Sequence, residues 1–207
     1  MRALYDSKSK TINDRGMKAL LGQQARVQSW LDVEAALALA QAEHGMIPES
    51  AAKNIAANCQ VEKIDLDEME RLLREIGHGF VPVIKVLVKA CDRESGKYVH
   101  YGVTTQNIQQ TAQLYLAKRF NALMQEFVND TLRNLATMAS EHQSTLMAGR
   151  THGKHALPIT WGYKVAVWID ELLSAQERML EAEKRVFTVM MEGAVGAFHA
   201  TGETGRQ

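Results

Sequence analysis

The sequence of 207 residues is poor in cysteine, proline and aromatic residues, with two cysteines, three prolines and 6% aromatics. Cys59 and Cys91 are too few for a disulfide framework and lack the spacing of metal ligands, which is typical of a reducing compartment. Basic and acidic residues number 24 each, so no net charge attracts nucleic acid or an anionic membrane. No apolar run approaches the roughly 20 residues that span a bilayer, and no signal peptide is apparent. We therefore expect a cytoplasmic protein that binds neither nucleic acid nor membrane.

Helical periodicity is abundant, and 46% of the residues are hydrophobic. Apolar residues recur at three- and four-residue steps over residues 23–44, with Gly45 as a stop signal. A short helix is expected after Pro48, and another after a capping box that begins at Asp65. Glycines interrupt the pattern at residues 77–79 before it resumes. Since alternating β-branched runs are absent, the sequence predicts an all-α fold.

Two longer helical patterns occupy the second half of the chain. One runs from residue 104 to about Glu141, and the other has Pro158 in its first turn and continues through Val186. We expect each to exceed 30 residues, whereas globular helices average roughly 12. Two such helices cannot enclose a core, so their partners must come from other chains or from further sequence. We place a domain boundary near residue 100, between a small helical domain (1–100) and an incomplete helical bundle (101–207).

Polar residues are concentrated in residues 149–158, which read GRTHGKHALP. A loop that leads into a helix offers free backbone N–H groups and a positive dipole end to an anion. Histidine can exchange a proton near neutral pH, which makes His152 and His155 candidates for proton transfer. Both could instead be ordinary surface residues.

A second polar segment, residues 100–107, reads HYGVTTQN. The hydroxyls of Thr104 and Thr105 and the amide of Gln106 can hold a carboxylate at a helix start. Either threonine could instead be an N-cap, and His78 could be a helix-end histidine that a carbonyl satisfies. Three separate helix breaks each carry a histidine, however, and this recurrence favours a functional interpretation.

The order and spacing of residues 100–107 and 149–158 resemble the first two signature regions of the fumarase/aspartase superfamily. Within it, the adenylosuccinate lyase branch is the most similar. Residues 30–35 (WLDVEA) and 45–48 (GMIP) also resemble that branch and its carboxymuconate cycloisomerase relatives. The resemblance covers nearly the whole chain.

The resemblance implies β-elimination of fumarate from a succinyl-substituted amine, most similar to adenylosuccinate in purine biosynthesis, without metal or cofactor. A base removes the proton next to a carboxylate, and by similarity His152 is the general acid that protonates the leaving nitrogen. The other residues that match the family's motifs would contact the succinyl carboxylates or the nucleotide phosphate. These are His78, His100, Thr104, Thr105, Gln106 and Thr151, with Tyr5, Lys154 and His155 as weaker candidates.

Three departures from the adenylosuccinate lyase pattern leave alternatives open. Thr105 and Asn107 stand where serine and aspartate are usual, and Leu157 replaces a glutamate in a way that resembles the cycloisomerase branch. A 3-carboxy-cis,cis-muconate cycloisomerase-like enzyme or another carboxylate lyase is therefore an alternative. A helical assembly module without catalysis is a third hypothesis.

The resemblance also implies a larger assembly than this chain alone. Superfamily members are longer, and their loop with the catalytic serine base lies beyond the portion that these residues match. We therefore expect an N-terminal part of a lyase, inactive by itself. Because long helices from four subunits form the family's central bundle, we expect a homotetramer with shared active sites.

Overall fold

The computed structural model describes residues 13–206, so Tyr5 lies outside the described residues. Within the described residues the chain forms two compact units: one contains residues 13–117 together with residues 188–206, and the other contains Lys118–Phe187. The helices are α1 (Met17–Leu20), α2 (Gln23–Glu43), α3 (Glu49–Asn58), α4 (Leu66–Ile76), α5 (Val81–Ala90), α6 (Thr105–Glu141) and α7 (Trp161–Val186). Two strands, β1 (Leu146–Thr151) and β2 (Lys154–Thr160), form one antiparallel hairpin. The all-α prediction is confirmed, with this hairpin as an unpredicted addition.

The helix ends of the first unit follow the signals in the sequence. Helix α2 ends at its cap His44, and Gly45 adopts a positive φ of 69°. The Asp65 carboxylate accepts a hydrogen bond from the Glu68 N–H at 2.9 Å and caps α4, which is one of the two bonds of the predicted capping box; the Glu68 carboxylate pairs with Arg71 and Lys89 instead of the Asp65 N–H. Helix α4 then ends at Gly77, which adopts the left-handed conformation that favours glycine. The predicted helix ends are confirmed.

The core of the first unit lies between helices α2 to α5 and the first turns of α6. Leu31, Ile55, Phe80, Leu87 and Ile108 are all 0% exposed. Fully burying an apolar side chain of this size contributes roughly 1.5–3 kcal/mol. The residues before and after the Gly77–Gly79 break are therefore held on a packed scaffold.

The two long helices differ from each other in length. Helix α6 has 37 residues, which confirms the predicted length, whereas α7 has only 26. The predicted start of α7 at Pro158 is wrong, because Pro158 belongs to β2 and α7 begins at Trp161. The Thr160 hydroxyl accepts a hydrogen bond from the Tyr163 N–H at 3.2 Å and caps the helix there. The domain boundary near residue 100 stays a prediction.

The second unit contains the hairpin, the later part of α6 and all of α7. Polar contacts join the helices: the Gln176 amide donates to both Gln125 Oε1 and Asn129 Oδ1 at 2.9 Å. Few of its side chains are buried: in α7 only Gly162 and Val165 are, and the buried residues of α6 all precede Ala117. Within residues 13–206, every helix is too short or too polar to cross a membrane.

Candidate functional site

His152 lies at the tip of the hairpin, in the two-residue turn between β1 and β2. His152 has φ 47° and Gly153 has φ 72°, and Thr151 pairs with Lys154 across the turn. Two consecutive positive φ angles define the type I′ turn, which favours Asn-Gly and matches the twist of the strands. A histidine in the first of these positions costs backbone energy, and such strain often marks a functional residue.

The structure corrects the prediction that the His152 segment is a loop leading directly into a helix. The backbone of residues 146–160 pairs as strands, so the N–H groups of α7 are not next to His152. Gly149 lies at an irregularity in the strand register, and a Cβ there would meet the Leu157 carbonyl oxygen at 2.7 Å. Only glycine fits at residue 149, because the two strand backbones approach each other too closely there for a side chain.

The four predicted residues of the hairpin, Thr151, His152, Lys154 and His155, are all exposed. The His155 Nε2 atom lies 3.3 Å from an Arg150 guanidinium nitrogen, because the two residues are cross-strand partners. The ring of His152 has no hydrogen-bond partner within residues 13–206. It is therefore available to a ligand.

In the first unit, Phe80 contacts both His78 and His100, the two histidines that the sequence predicts to bind substrate. The His78 Nδ1 atom accepts hydrogen bonds from the N–H groups of Phe80 at 3.1 Å and Val81 at 3.2 Å. His78 therefore caps the start of α5 rather than binding a carbonyl, and its neutral ring carries the proton on Nε2. The Phe80 ring packs against the His100 ring with centroids 5.6 Å apart.

His100 binds a buried carboxylate. Its Nδ1 atom lies 2.5 Å from Glu34 Oε1, with the His100 side chain 13% exposed and the Glu34 side chain 2% exposed. Its backbone has φ 61°, the left-handed region that is costly for a residue with a Cβ. Helix α2, which carries Glu34, also holds the next residue, Tyr101: the Gln41 amide donates a hydrogen bond to the Tyr101 carbonyl at 2.7 Å.

Asn107 orders the start of α6. Its Oδ1 atom accepts hydrogen bonds from the Thr104 N–H and from the Gly193 N–H, both at 3.1 Å. The side chains of Thr104, Thr105 and Gln106 have no protein partner within the described part of the chain. The threonine N-cap alternative is therefore not observed, and two hydroxyls and an amide remain available at a helix N-terminus. Such groups suit a carboxylate.

The structure thus groups His78, His100 and residues 104–106 in the first unit, and it groups the hairpin residues in the second. Sequence reasoning missed Glu34, although a signal was present. Glu34 lies three residues after Leu31 and four before Ala38, so the helical period places its charge on the buried face.

Other nucleophiles and metal ligands add little to this site. Burial raises the pKa of Cys59 and raises that of Cys91 to about 11, so both thiols stay protonated at neutral pH. Within residues 13–206, histidine, cysteine, aspartate and glutamate side chains nowhere gather in threes as metal ligands would. The candidate chemistry therefore rests on histidines, hydroxyls and an amide.

Comparison with known proteins gives a consistent result. A protein-family profile described as "Lyase" matches residues 7–205. The chain is 38% identical over 190 residues to N-acetyl-S-(2-succino)cysteine lyase of Dickeya dadantii, covering 91% of this chain and 41% of that protein. It is 35% identical over 189 residues to adenylosuccinate lyase of Methanocaldococcus jannaschii, with coverages of 91% and 41%. The structure of 3-carboxy-cis,cis-muconate lactonizing enzyme from Pseudomonas putida matches with a TM-score of 0.88 at 30% identity, covering 93% of this chain and 44% of that one.

Proposed function

Because this chain belongs to the lyase family, within the fumarase/aspartase superfamily, we propose that its protein eliminates fumarate from a succinyl-substituted substrate, with adenylosuccinate as that substrate. The chain spans 41% of the length of each of the two relatives described above, so the activity proposed is that of the whole protein. The observation that carries the proposal is the histidine at the hairpin tip, which is exposed and held in a strained turn.

In the proposed reaction a base takes the proton next to a carboxylate while the bond from carbon to the leaving nitrogen breaks. The electron pair of the C–H bond forms the new double bond, and His152 gives its proton to the leaving nitrogen. Thr104, Thr105 and Gln106 would bind the succinyl carboxylates and stabilise the charge that develops on one of them. The partnerless hydroxyls and amide at the start of α6 support this assignment. Thr151, Lys154 and His155 lie beside His152 and would contribute neighbouring contacts.

Two related reactions are second candidates, each favoured by a specific observation. Elimination from a succinylated thiol is supported by the 38% identity to the succinocysteine lyase. Cycloisomerisation of a carboxymuconate is supported by the TM-score of 0.88 to the muconate enzyme and by Leu157 within the hairpin. Both reactions, like the first, act on carboxylates, so the same helix start would bind them.

The substrate is tested with the complete gene product that contains these 207 residues. Adenylosuccinate, N-acetyl-S-(2-succino)cysteine and 3-carboxy-cis,cis-muconate are offered separately, and fumarate release or lactone formation is followed. We expect kcat/KM to be highest for adenylosuccinate, and we expect no turnover by the 207-residue chain alone. A higher kcat/KM for either other compound replaces the substrate assignment, and no turnover of any of them contradicts the proposed lyase activity.

We propose further that the protein is a homotetramer whose active sites are shared between subunits. Large apolar side chains are exposed along the second unit, at 43% for Val167, 49% for Leu173 and 50% for Leu180. Leu173 and Leu180 lie seven residues apart, on one face of α7. Large exposed apolar side chains that lie together on one helix face indicate a surface for association.

Association is expected for the 207-residue chain at micromolar concentration in sedimentation velocity. Replacing both Leu173 and Leu180 with glutamate should shift the chain to a monomer, because burying two unpaired carboxylates in the interface is costly. Leu21→Glu is the control: this residue is 72% exposed but lies in the first unit. A stable, folded monomer of the unsubstituted chain contradicts the proposal.

A further inference from the structure

Glu34 is an unusual residue for the middle of a packed helix. It is buried, and among the buried polar residues that the structure describes it alone carries a carboxylate. An ionised carboxylate in such surroundings is costly unless it is paired and hydrogen-bonded. Within residues 13–206, its side-chain partner is His100, at 2.5 Å. This pair therefore needs an explanation beyond packing.

Helix α2 fixes the residues before the Thr104–Gln106 group from one face. Glu34 and Gln41 lie seven residues apart on this face, and they bind the consecutive residues His100 and Tyr101. The His100 ring is also confined by Phe80, which in turn packs edge-on against Trp30 with centroids 5.3 Å apart. These contacts hold His100 at its positive φ, which a residue with a Cβ adopts only when its surroundings impose it.

We propose that Glu34 is a positioning residue for His100, which holds the ring so that its Nε2 edge faces an anionic group of the substrate. The proposal rests on the proposed function with adenylosuccinate as the substrate, together with the expectation from the family resemblance that His100 contacts the nucleotide phosphate. It adds a residue on a different helix that acts only through that histidine.

The chemistry follows from what each atom can donate or accept. A carboxylate only accepts, so the proton between the two side chains belongs to His100 Nδ1. When the ring takes up a second proton, Nε2–H donates to an anionic oxygen while Nδ1–H stays on Glu34. The bound anion and Glu34 then interact with opposite edges of one imidazolium, and both bonds are charge-assisted. The partial exposure of the His100 side chain, 13%, leaves such an edge accessible.

The test is a double-mutant cycle in the complete gene product, with Glu34→Gln, His100→Asn and the double variant. Asparagine tolerates the positive φ at residue 100, and glutamine keeps the size of Glu34 but removes its charge. We expect Glu34→Gln to raise the KM for adenylosuccinate about 10- to 100-fold, the same size of loss that follows when a group that orients a metal-binding histidine is removed. The change in kcat should be smaller. In the His100→Asn background, Glu34→Gln should change KM no further.

The control is Ser29→Ala, another buried α2 residue, whose hydroxyl donates to the Arg26 carbonyl at 2.7 Å. KM should stay unchanged in this variant. Additive effects of Glu34→Gln and His100→Asn, or an equal rise in KM for Ser29→Ala, would overturn the proposal. Inorganic phosphate binding, measured by calorimetry, gives a readout that does not need turnover. If the unsubstituted protein turns over no substrate but binds phosphate, and if Glu34→Gln and His100→Asn lose this binding while Ser29→Ala keeps it, the positioning role stands. If the unsubstituted protein binds no phosphate either, the positioning role is overturned.

Discussion

Replacing His152 with asparagine is expected to lower the kcat of fumarate release by about 10²- to 10⁴-fold, the usual contribution of a general acid. Asparagine keeps the hairpin intact, because it is the residue that type I′ turns favour in this position. Asparagine cannot deliver the proton that, in the proposed reaction, His152 gives to the leaving nitrogen. The loss should therefore appear in kcat while the thermal unfolding midpoint does not fall.

A second variant and a control distinguish loss of the general acid from damage to the hairpin. His152→Ala should lose as much activity, but it should also unfold at a lower temperature, because alanine tolerates φ 47° less well than asparagine. His142→Gln is the matched control: this histidine is also in the second unit, where its ring contacts the Thr145 hydroxyl at 3.1 Å. Its kcat should be unchanged. Full activity of His152→Asn would remove His152 from the mechanism.

Gly162→Ala is expected to destabilise the protein by about 3 kcal/mol, at the upper end of what overpacking usually costs. An added Cβ would lie 2.5 Å from the Ala139 carbonyl oxygen and 2.8 Å from Gln143 Cα. Both are backbone atoms, so no side chain can move aside. The Gly162 N–H already donates to the His142 carbonyl at 2.9 Å, which fixes the two segments at this distance.

A change of this size should lower the thermal unfolding midpoint by roughly 6–12 °C, since 1 kcal/mol corresponds to about 2–4 °C in a chain of this length. Gly79→Ala is the matched control, because its Cβ would meet only the Gln109 amide nitrogen, at 3.9 Å. Its unfolding free energy should change by less than about 0.5 kcal/mol. Equal midpoints for the two variants would mean that helix α7 can shift away from α6 at little cost.

The first unit could be predicted well because its signals are local. The Asp65 cap, the Gly45 and Gly77 stops and the apolar period of α2 each depend on neighbouring residues alone. The hairpin could not be predicted this way. None of its residues is buried in this chain, so they lack the alternation of buried and exposed side chains that a half-buried strand shows. Pro158 is compatible with the first turn of a helix as well as with this strand.

The candidate site also contains residues that the sequence alone could identify and residues that it could not. The motif residues are recognisable in sequence because their types and order resemble a family. Glu34 and Gly193, which position His100 and Asn107, are distant in sequence from the residues they hold. Their roles depend on tertiary contacts, and no local period encodes a contact between residues 34 and 100.

The double hydrogen bond of Asn107 has a consequence for how the protein is made. Its second donor, the Gly193 N–H, lies 86 residues later in the chain. At about 5–20 residues per second, a ribosome needs on the order of ten seconds to add that stretch. During that interval water must serve the Asn107 oxygen in place of Gly193, and the start of α6 remains open to chaperones and proteases until residues 188–206 have emerged to complete the first unit.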